Sequence, residues 1–224
     1  QNGKTSSMSC KFLMMCSGYY NYEKPFRPDF QNEEVFTGQT IHPQLWPEDL
    51  DYKDKKVVVI GSGATAMTIV PNVAQQASKV TMLQRSPTYV VARPDQDAIA
   101  NFLRKWLPSK LAYSITRLKN TWLQSFMYKR MRAKPEEAKR NLIGMTRAAL
   151  NKEFDVKKHF TPSYYPWDQR LCLLPNGDLY ESINQGRVEV ITDTIDRVQE
   201  TGISRLRSSG PSIVFDLGSR IYPL

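Results

Sequence analysis

The 224 residues predict an α/β fold of the Rossmann type carrying a helical insertion, and three observations support that expectation. Val57–Ile60 is a short β-branched run, apolar at every position, as in a strand buried on both faces of a parallel sheet. Gly61-Ser62-Gly63-Ala64-Thr65-Ala66 follows at once, and Met67, Ile69, Val70 and Val73 then recur as on a helix facing a sheet. Lys79–Gln84 supplies a second strand, completing the strand–turn–helix–strand context that gives a glycine-rich turn its meaning.

The residues of the turn have separable tasks. Gly61 permits the tight exit from the strand, Gly63 lets the backbone approach a pyrophosphate, and small Ala66 lets the helix lie close to the sheet. The helix opening here aims free N–H groups and the positive end of its dipole at the anion, so Gly61, Ser62, Gly63, Ala64 and Thr65 are expected to hold a dinucleotide. Where an NAD site carries an acid at the end of the second strand, this chain reads Gln84-Arg85-Ser86. Arg85 lies 85 − 61 = 24 positions after Gly61, where a guanidinium faces a 2′-phosphate. Arg85 and Ser86 therefore predict NADP.

Hydrophobic residues make up 41% of the chain, enough to bury a core. No apolar run is long enough to span a membrane and no secretory signal is recognisable, so a cytoplasmic setting is expected. Gln1 is not an initiator methionine, and the chain is expected to belong to something longer. Cys10, Cys16 and Cys172 are odd in number without metal or redox spacing, and His42 and His159 are too few for a metal cluster.

Lys11–Cys16, KFLMMC, reads as a buried strand ending at Ser17-Gly18, with nothing upstream to pair with; its sheet is expected to lie outside this chain. Asn21–Asp51, rich in Pro, aromatic and polar residues, reads as a linker. Within it stand Phe36, Gly38, His42, Trp46 and Pro47. Their spacing, F-x-G-x-x-x-H-x-x-x-W-P ahead of a glycine-rich nucleotide turn, resembles the fingerprint of Baeyer-Villiger monooxygenases, which use FAD and NADPH. The segments CSGYY, VVVIGSGATA, MLQRSPTYVV and YYPWDQRLCLLPNGDLY are similar to the ethionamide-activating type within that flavin-containing monooxygenase family. The likeness runs from about Cys10 to Arg197.

The resemblance implies FAD and NADP as cofactors and cofactor contacts at Ser17 and Gly18. It implies a role for His42 in coupling domain movement to catalysis, and an active-site arginine at Arg170. That guanidinium would favour a deprotonated C4a-peroxyflavin and stabilise the charge formed when it attacks a ketone or a sulfur. Relatives carry a lysine just before the arginine where this chain has Gln169, which leaves the NADP preference to Arg85 and Ser86. Arg170 pairing with neighbouring Asp168 is the structural alternative.

Between Asn101 and Phe160 fifteen Lys and Arg face four acids, which accounts for the whole net charge of +9. Thr88–Asp95 leads into this helical insertion, about 95–153, divided by Pro108 and Pro135. Leu111, Ile115, Leu118, Trp122 and Phe126 form an apolar stripe with Lys110, Arg117, Lys119, Lys129 and Arg130 around it. The stripe is expected to pack on the protein's own domains; peripheral membrane contact is the main alternative, and a nucleic-acid partner is not expected.

Phe154–Asn176 reads as a long ordered loop, Leu179–Ile183 as a short helix and Val188–Ile191 as a further strand. A hairpin and an A-T-G strand should follow in this family. Thr201–Leu224 departs from that pattern and reads as an atypical ending. The division expected is an FAD-domain remnant and linker at 1–50, an NADP-binding domain at 51–200 and the tail at 201–224. The FAD-binding glycine turn is missing from the amino-terminal part, so tight FAD binding by this chain alone is not expected. The absence of C-x-x-C argues against a disulfide reductase. A non-catalytic NADP-binding or basic interaction module, or an N/S-oxygenating enzyme, stays as the alternative to a Baeyer-Villiger oxygenase acting on a ketone or sulfur compound with O2.

Overall fold

A computed structural model of the chain describes residues 5, 7–16, 18, 21, 23–206, 213–216 and 220–223. In chain order the elements are β1 (Gln39–Thr40), β2 (Lys56–Ile60), α1 (Ala64–Val73), β3 (Lys79–Gln84), β4 (Tyr89–Arg93), α2 (Ala98–Trp106), α3 (Ser109–Ala133), α4 (Pro135–Ala149), α5 (Val156–His159), β5 (Leu171–Pro175), α6 (Asp178–Asn184), β6 (Val188–Thr192), β7 (Thr194–Gln199), β8 (Gly202–Leu206), β9 (Ile213–Asp216) and β10 (Arg220–Pro223), with 3-10 turns at Glu33–Val35 and Pro43–Leu45.

The chain is α/β. A parallel sheet runs in the order β1-β10-β2-β3-β6, β4 and β5 form a small parallel pair, and β7-β8-β9 form an antiparallel sheet. The uniformly apolar β2 is explained by its two neighbours. Val57 and Val59 face the cluster that holds Ala66, Met67, Val70 and Val73 of α1. Val58 joins Leu83 and Ile191 on the opposite face, against Val198 of β7 and Ile203 of β8. Burial of each valine contributes about 1.5–3 kcal/mol.

Four expectations change. Lys11–Cys16 is not a strand: Phe12, Leu13, Met14 and Met15 are 69–78% exposed, because no described strand pairs with this segment. The stretch expected to lead into the helices contains β4, and the expected loop contains α5 and β5, which returns parallel to β4 with Tyr89 opposite Leu171. Their pairing spans the whole insertion, beyond the reach of local pattern. The hairpin thought absent is present. Gln199 pairs with Gly202 across a two-residue turn that lacks the usual Asn-Gly signal, while residues 220–223 enter the parallel sheet as β10. Finally, the stripe of α3 finds little to pack on among the described residues: Leu118 and Trp122 are 73% and 64% exposed.

One buried amide ties the sheet's far side together. Gln84, the last residue of β3, is 1% exposed, and its Nε2 donates to the His159 carbonyl at 2.7 Å and to Thr192 Oγ1 at 2.9 Å. His159 Nδ1 lies 2.8 Å from the same hydroxyl, and burial lowers the histidine's pKa. Gln84→Leu should therefore destabilise the chain by about 1 kcal/mol, read from urea unfolding, because it removes both donations to the partly buried His159 carbonyl and Thr192 hydroxyl while also removing Gln84's own unpartnered Oε1.

Candidate functional site

β2 and β3 run parallel, and the chain leaves both at their carboxyl ends into one open cleft of about 790 Å³. That is where open α/β sheets place ligands. Gly61 makes the exit from β2 at φ 140°, a conformation that a Cβ would resist, while its N–H donates to the Leu83 carbonyl at 2.7 Å. The turn is thereby tied to β3. Gly63 starts α1 in an extended conformation and gives it no side-chain cap. The first intrahelical bond joins the Met67 N–H to the Gly63 carbonyl at 3.0 Å. The N–H groups of Ala64, Thr65 and Ala66 thus precede the ladder, at the positive end of the helix dipole.

Side chains from four separate stretches surround this helix end. Arg85 and Ser86 continue from β3, and Ser62 Oγ donates to the Ser86 carbonyl at 3.3 Å. Arg170 reaches in just ahead of β5. Its Nη2 donates to Ser62 Oγ at 3.4 Å, and its Nη1 stands 3.7 Å from where a Cβ on Gly63 would be. His42 comes from the strap before β2, its Nδ1 accepting the Gln44 N–H at 3.2 Å, so a neutral ring carries its proton on Nε2. Asp193, between β6 and β7, and Thr194, the first residue of β7, complete a lining with two guanidinium groups and one carboxylate.

Of the residues singled out by sequence, Gly61, Ser62, Gly63, Thr65, Arg85, Ser86, His42 and Arg170 all line this cleft. Ala64 sits in the first turn of α1 without lining it. Gly18 is exposed and does not line it, and Ser17 lies outside the described residues. Trp46 turns toward the core, edge-on to Tyr52 at 6.2 Å. The alternative pairing of Arg170 with Asp168 does not form; Asp168 takes Arg132 as its ion-pair partner. Sequence reasoning missed Asp193, Thr194 and Ile195. Their only signal was topological, since they follow the carboxyl end of a third parallel strand.

Residues 1–162 match the family model described as flavin-binding monooxygenase-like. The chain belongs to this family. It is 52% identical over 208 residues to the FAD-containing monooxygenase EthA of Mycobacterium tuberculosis H37Rv, covering 92% of this chain and 42% of that protein. It is 48% identical over 201 residues to the probable FAD-binding monooxygenase AlmA of Acinetobacter baylyi, covering 89% and 40%. The chain thus spans about two fifths of the length of the curated relatives it matches. Among solved structures, an oxidized steroid monooxygenase bound to NADP superposes with a TM-score of 0.65 at 20% identity, covering 88% of this chain and 44% of that one. An open crystal structure of cyclohexanone monooxygenase gives 0.62 at 20%, covering 88% and 45%. At such identity the likeness is one of fold.

The backbone at Gly63 tests what this position is for. A methyl group there would meet the Arg170 guanidinium only at ordinary contact distance. Gly63→Ala should therefore leave thermal unfolding close to the wild type, the entropy it removes from the unfolded chain, up to about 1 kcal/mol, being offset by the poorer N-cap that alanine makes. Its cost should fall on any anion that must approach the backbone.

Proposed function

We propose that this chain is the NADP-binding part of a longer FAD- and NADPH-dependent monooxygenase that inserts one oxygen atom of O2 into a ketone or oxygenates a sulfur. The observation that carries the reading is the uncapped amino end of α1, opening between two guanidinium groups at the carboxyl ends of β2 and β3. On this reading residues 51–200 bind the dinucleotide, with 95–153 as the insertion, and residues 1–50 connect to the FAD-binding part.

The residues present fit a dinucleotide phosphate. The N–H groups of Ala64 and Thr65 and the close backbone of Gly63 receive the pyrophosphate. Arg85, exposed on the rim beside Ser86, pairs with the 2′-phosphate, for which a planar fork of donors is well matched. Arg170, held above Gly63, keeps a permanent positive charge where the cofactor's reactive end enters, and there it stabilises developing negative charge. His42 closes the strap side, where the linker meets the cleft. The described residues do not offer a comparable cradle for FAD, so its contacts are assigned to the rest of the longer protein. When bound, reduced flavin activates O2 for oxygen transfer.

The insertion belongs to the same proposal as a surface for anionic lipid. From Ala98 to Ala133 the sequence has eight cations and no acid; Lys119, Arg130 and Arg132 pair with Asp97, Glu137 and Asp168, which leaves 104, 105, 110, 117 and 129 for the surface. Phe102, Trp106, Leu118 and Trp122 are 64–73% exposed among them. Aromatic and aliphatic groups interleaved with cations suit a headgroup boundary. Among the described residues no helix is long and apolar enough to cross a membrane.

Arg85→Ala should weaken NADPH by roughly tenfold or more and leave NADH almost unchanged, measured by calorimetric titration of each nucleotide. Equal losses for both would contradict the assignment of Arg85. Sedimentation with vesicles should show binding to phosphatidylglycerol, released by salt and abolished by Trp106→Ser with Trp122→Ser, and little binding to phosphatidylcholine. A concentration-dependent dimer without vesicle binding would instead give this surface to a second copy.

A further inference from the structure

Just ahead of Arg170 the chain makes a turn that its sequence would not choose. In Tyr165-Pro166-Trp167-Asp168 the Asp168 N–H donates to the Tyr165 carbonyl at 3.1 Å, and the Asp168 carboxylate accepts the Tyr165 N–H at 3.3 Å. Proline suits the second position of such a turn. The third position, which takes a positive φ and ordinarily glycine or asparagine, is Trp167 at φ 70°. A bulky residue there is an outlier that persists only where its surroundings over-determine it.

Those surroundings are the end of α3 and the start of α4. Trp167 Nε1 donates to Met131 Sδ at 3.1 Å, and its ring meets Tyr128 edge-on at 5.6 Å. Arg132 forms an ion pair with Asp168. The Tyr165 hydroxyl donates to Glu136 Oε1 at 2.6 Å, and the Lys139 ammonium stands 5.7 Å from the Tyr165 ring. From the sheet side, the Tyr164 hydroxyl donates to the Arg170 carbonyl at 3.3 Å, while the Tyr89 hydroxyl donates to the Tyr164 carbonyl at 2.6 Å. Burial pushes the Tyr89 hydroxyl up to about 12, so it remains a donor. An exposed ion pair such as Arg132–Asp168 adds little to stability by itself. Its contribution is direction.

We propose that the α3–α4 junction is the positioning element for Arg170: Tyr128, Met131 and Arg132 lock the turn at Trp167, and the locked turn aims the guanidinium at the glycine turn. The proposal rests on the dinucleotide reading of the cleft. Arg132 and Trp167 are positioning residues, since neither lines the cleft, and they act by holding one orientation of a long side chain before any ligand arrives. A pre-aimed guanidinium loses less rotamer freedom on binding than one that must be recruited from solvent.

Calorimetric titration of the 224-residue chain with NADP+ tests this. Arg170→Ala should weaken binding roughly tenfold, the weight of one charge-assisted contact. Trp167→Gly preserves the backbone conformation while deleting the ring, and Arg132→Ala deletes the ion pair. Each should weaken NADP+ about threefold to fivefold, with partial rescue by Arg132→Lys, and neither should weaken it further once Arg170 is alanine. Thermal unfolding of Trp167→Gly should fall only slightly, relief of the positive φ offsetting the lost ring contacts and the freer unfolded chain, and an unchanged far-UV circular dichroism spectrum separates lost aim from a damaged fold. Wild-type affinity in Trp167→Gly and Arg132→Ala beside a weakened Arg170→Ala overturns the positioning role alone. So does a loss that persists undiminished in the Arg170→Ala background. If the wild-type chain does not bind NADP+, or Arg170→Ala binds it as tightly as wild type, the placement of the dinucleotide fails and this proposal fails with it.

Discussion

A helix whose first turn has no side-chain cap leaves backbone donors that must find an acceptor, and α1 leaves them in a cleft bordered by two arginines. The rest of the described architecture can be understood from that exposed end. β2 must be buried on both faces to hold the turn in place, which is why it has helices on one side and the β7–β8 hairpin on the other. The Gly61 N–H, donating to the Leu83 carbonyl, fixes the turn against β3, and Arg85 emerges only two residues after Leu83. A positive φ at Gly61 and an uncapped start at Gly63 are both choices that a merely structural turn would have no need to combine.

The sequence made the centre of this arrangement legible because its signals are local. Strand, glycine turn and helix succeed one another within about twenty residues, each with its own period; Lys79–Gln84 is recovered to the residue, and Val57–Ile60 falls one residue short of β2 at Lys56. The eight cleft residues named beforehand come from four stretches, and resemblance brought in those that periodicity could not, His42 and Arg170. What escaped is non-local. The β4–β5 pair closes across the insertion, and Asp193 to Ile195 reach the cleft through the sheet order β2-β3-β6. The KFLMMC segment is the complementary case, since strand character is realised only when a neighbouring strand accepts its hydrogen bonds, and the described residues hold no such neighbour.

The insertion has two unlike sides. The exposed faces of α2 and α3 carry apolar side chains and cations that find little to cover them among the described residues. The end of α3 and the start of α4, in contrast, hold the 165–168 turn through an ion pair, a phenolic hydrogen bond and an indole wedged against methionine and tyrosine. One long helix therefore connects a surface open to its surroundings with the segment that carries Arg170.

Because β4 and β5 are parallel, with Tyr89 beside Leu171 and Arg93 beside Pro175, the polypeptide leaves the pair at one end and re-enters it at the other. Everything between is a crossover that begins and ends on the same small pair of strands. Such a segment can be lengthened, shortened or swapped for another helical unit with only a slow rise in loop-closure entropy. The same scaffold could thus acquire different attachments during divergence while its nucleotide half stayed intact, and each exchange would be screened first by how well the newcomer's helix ends fit the turn around Trp167.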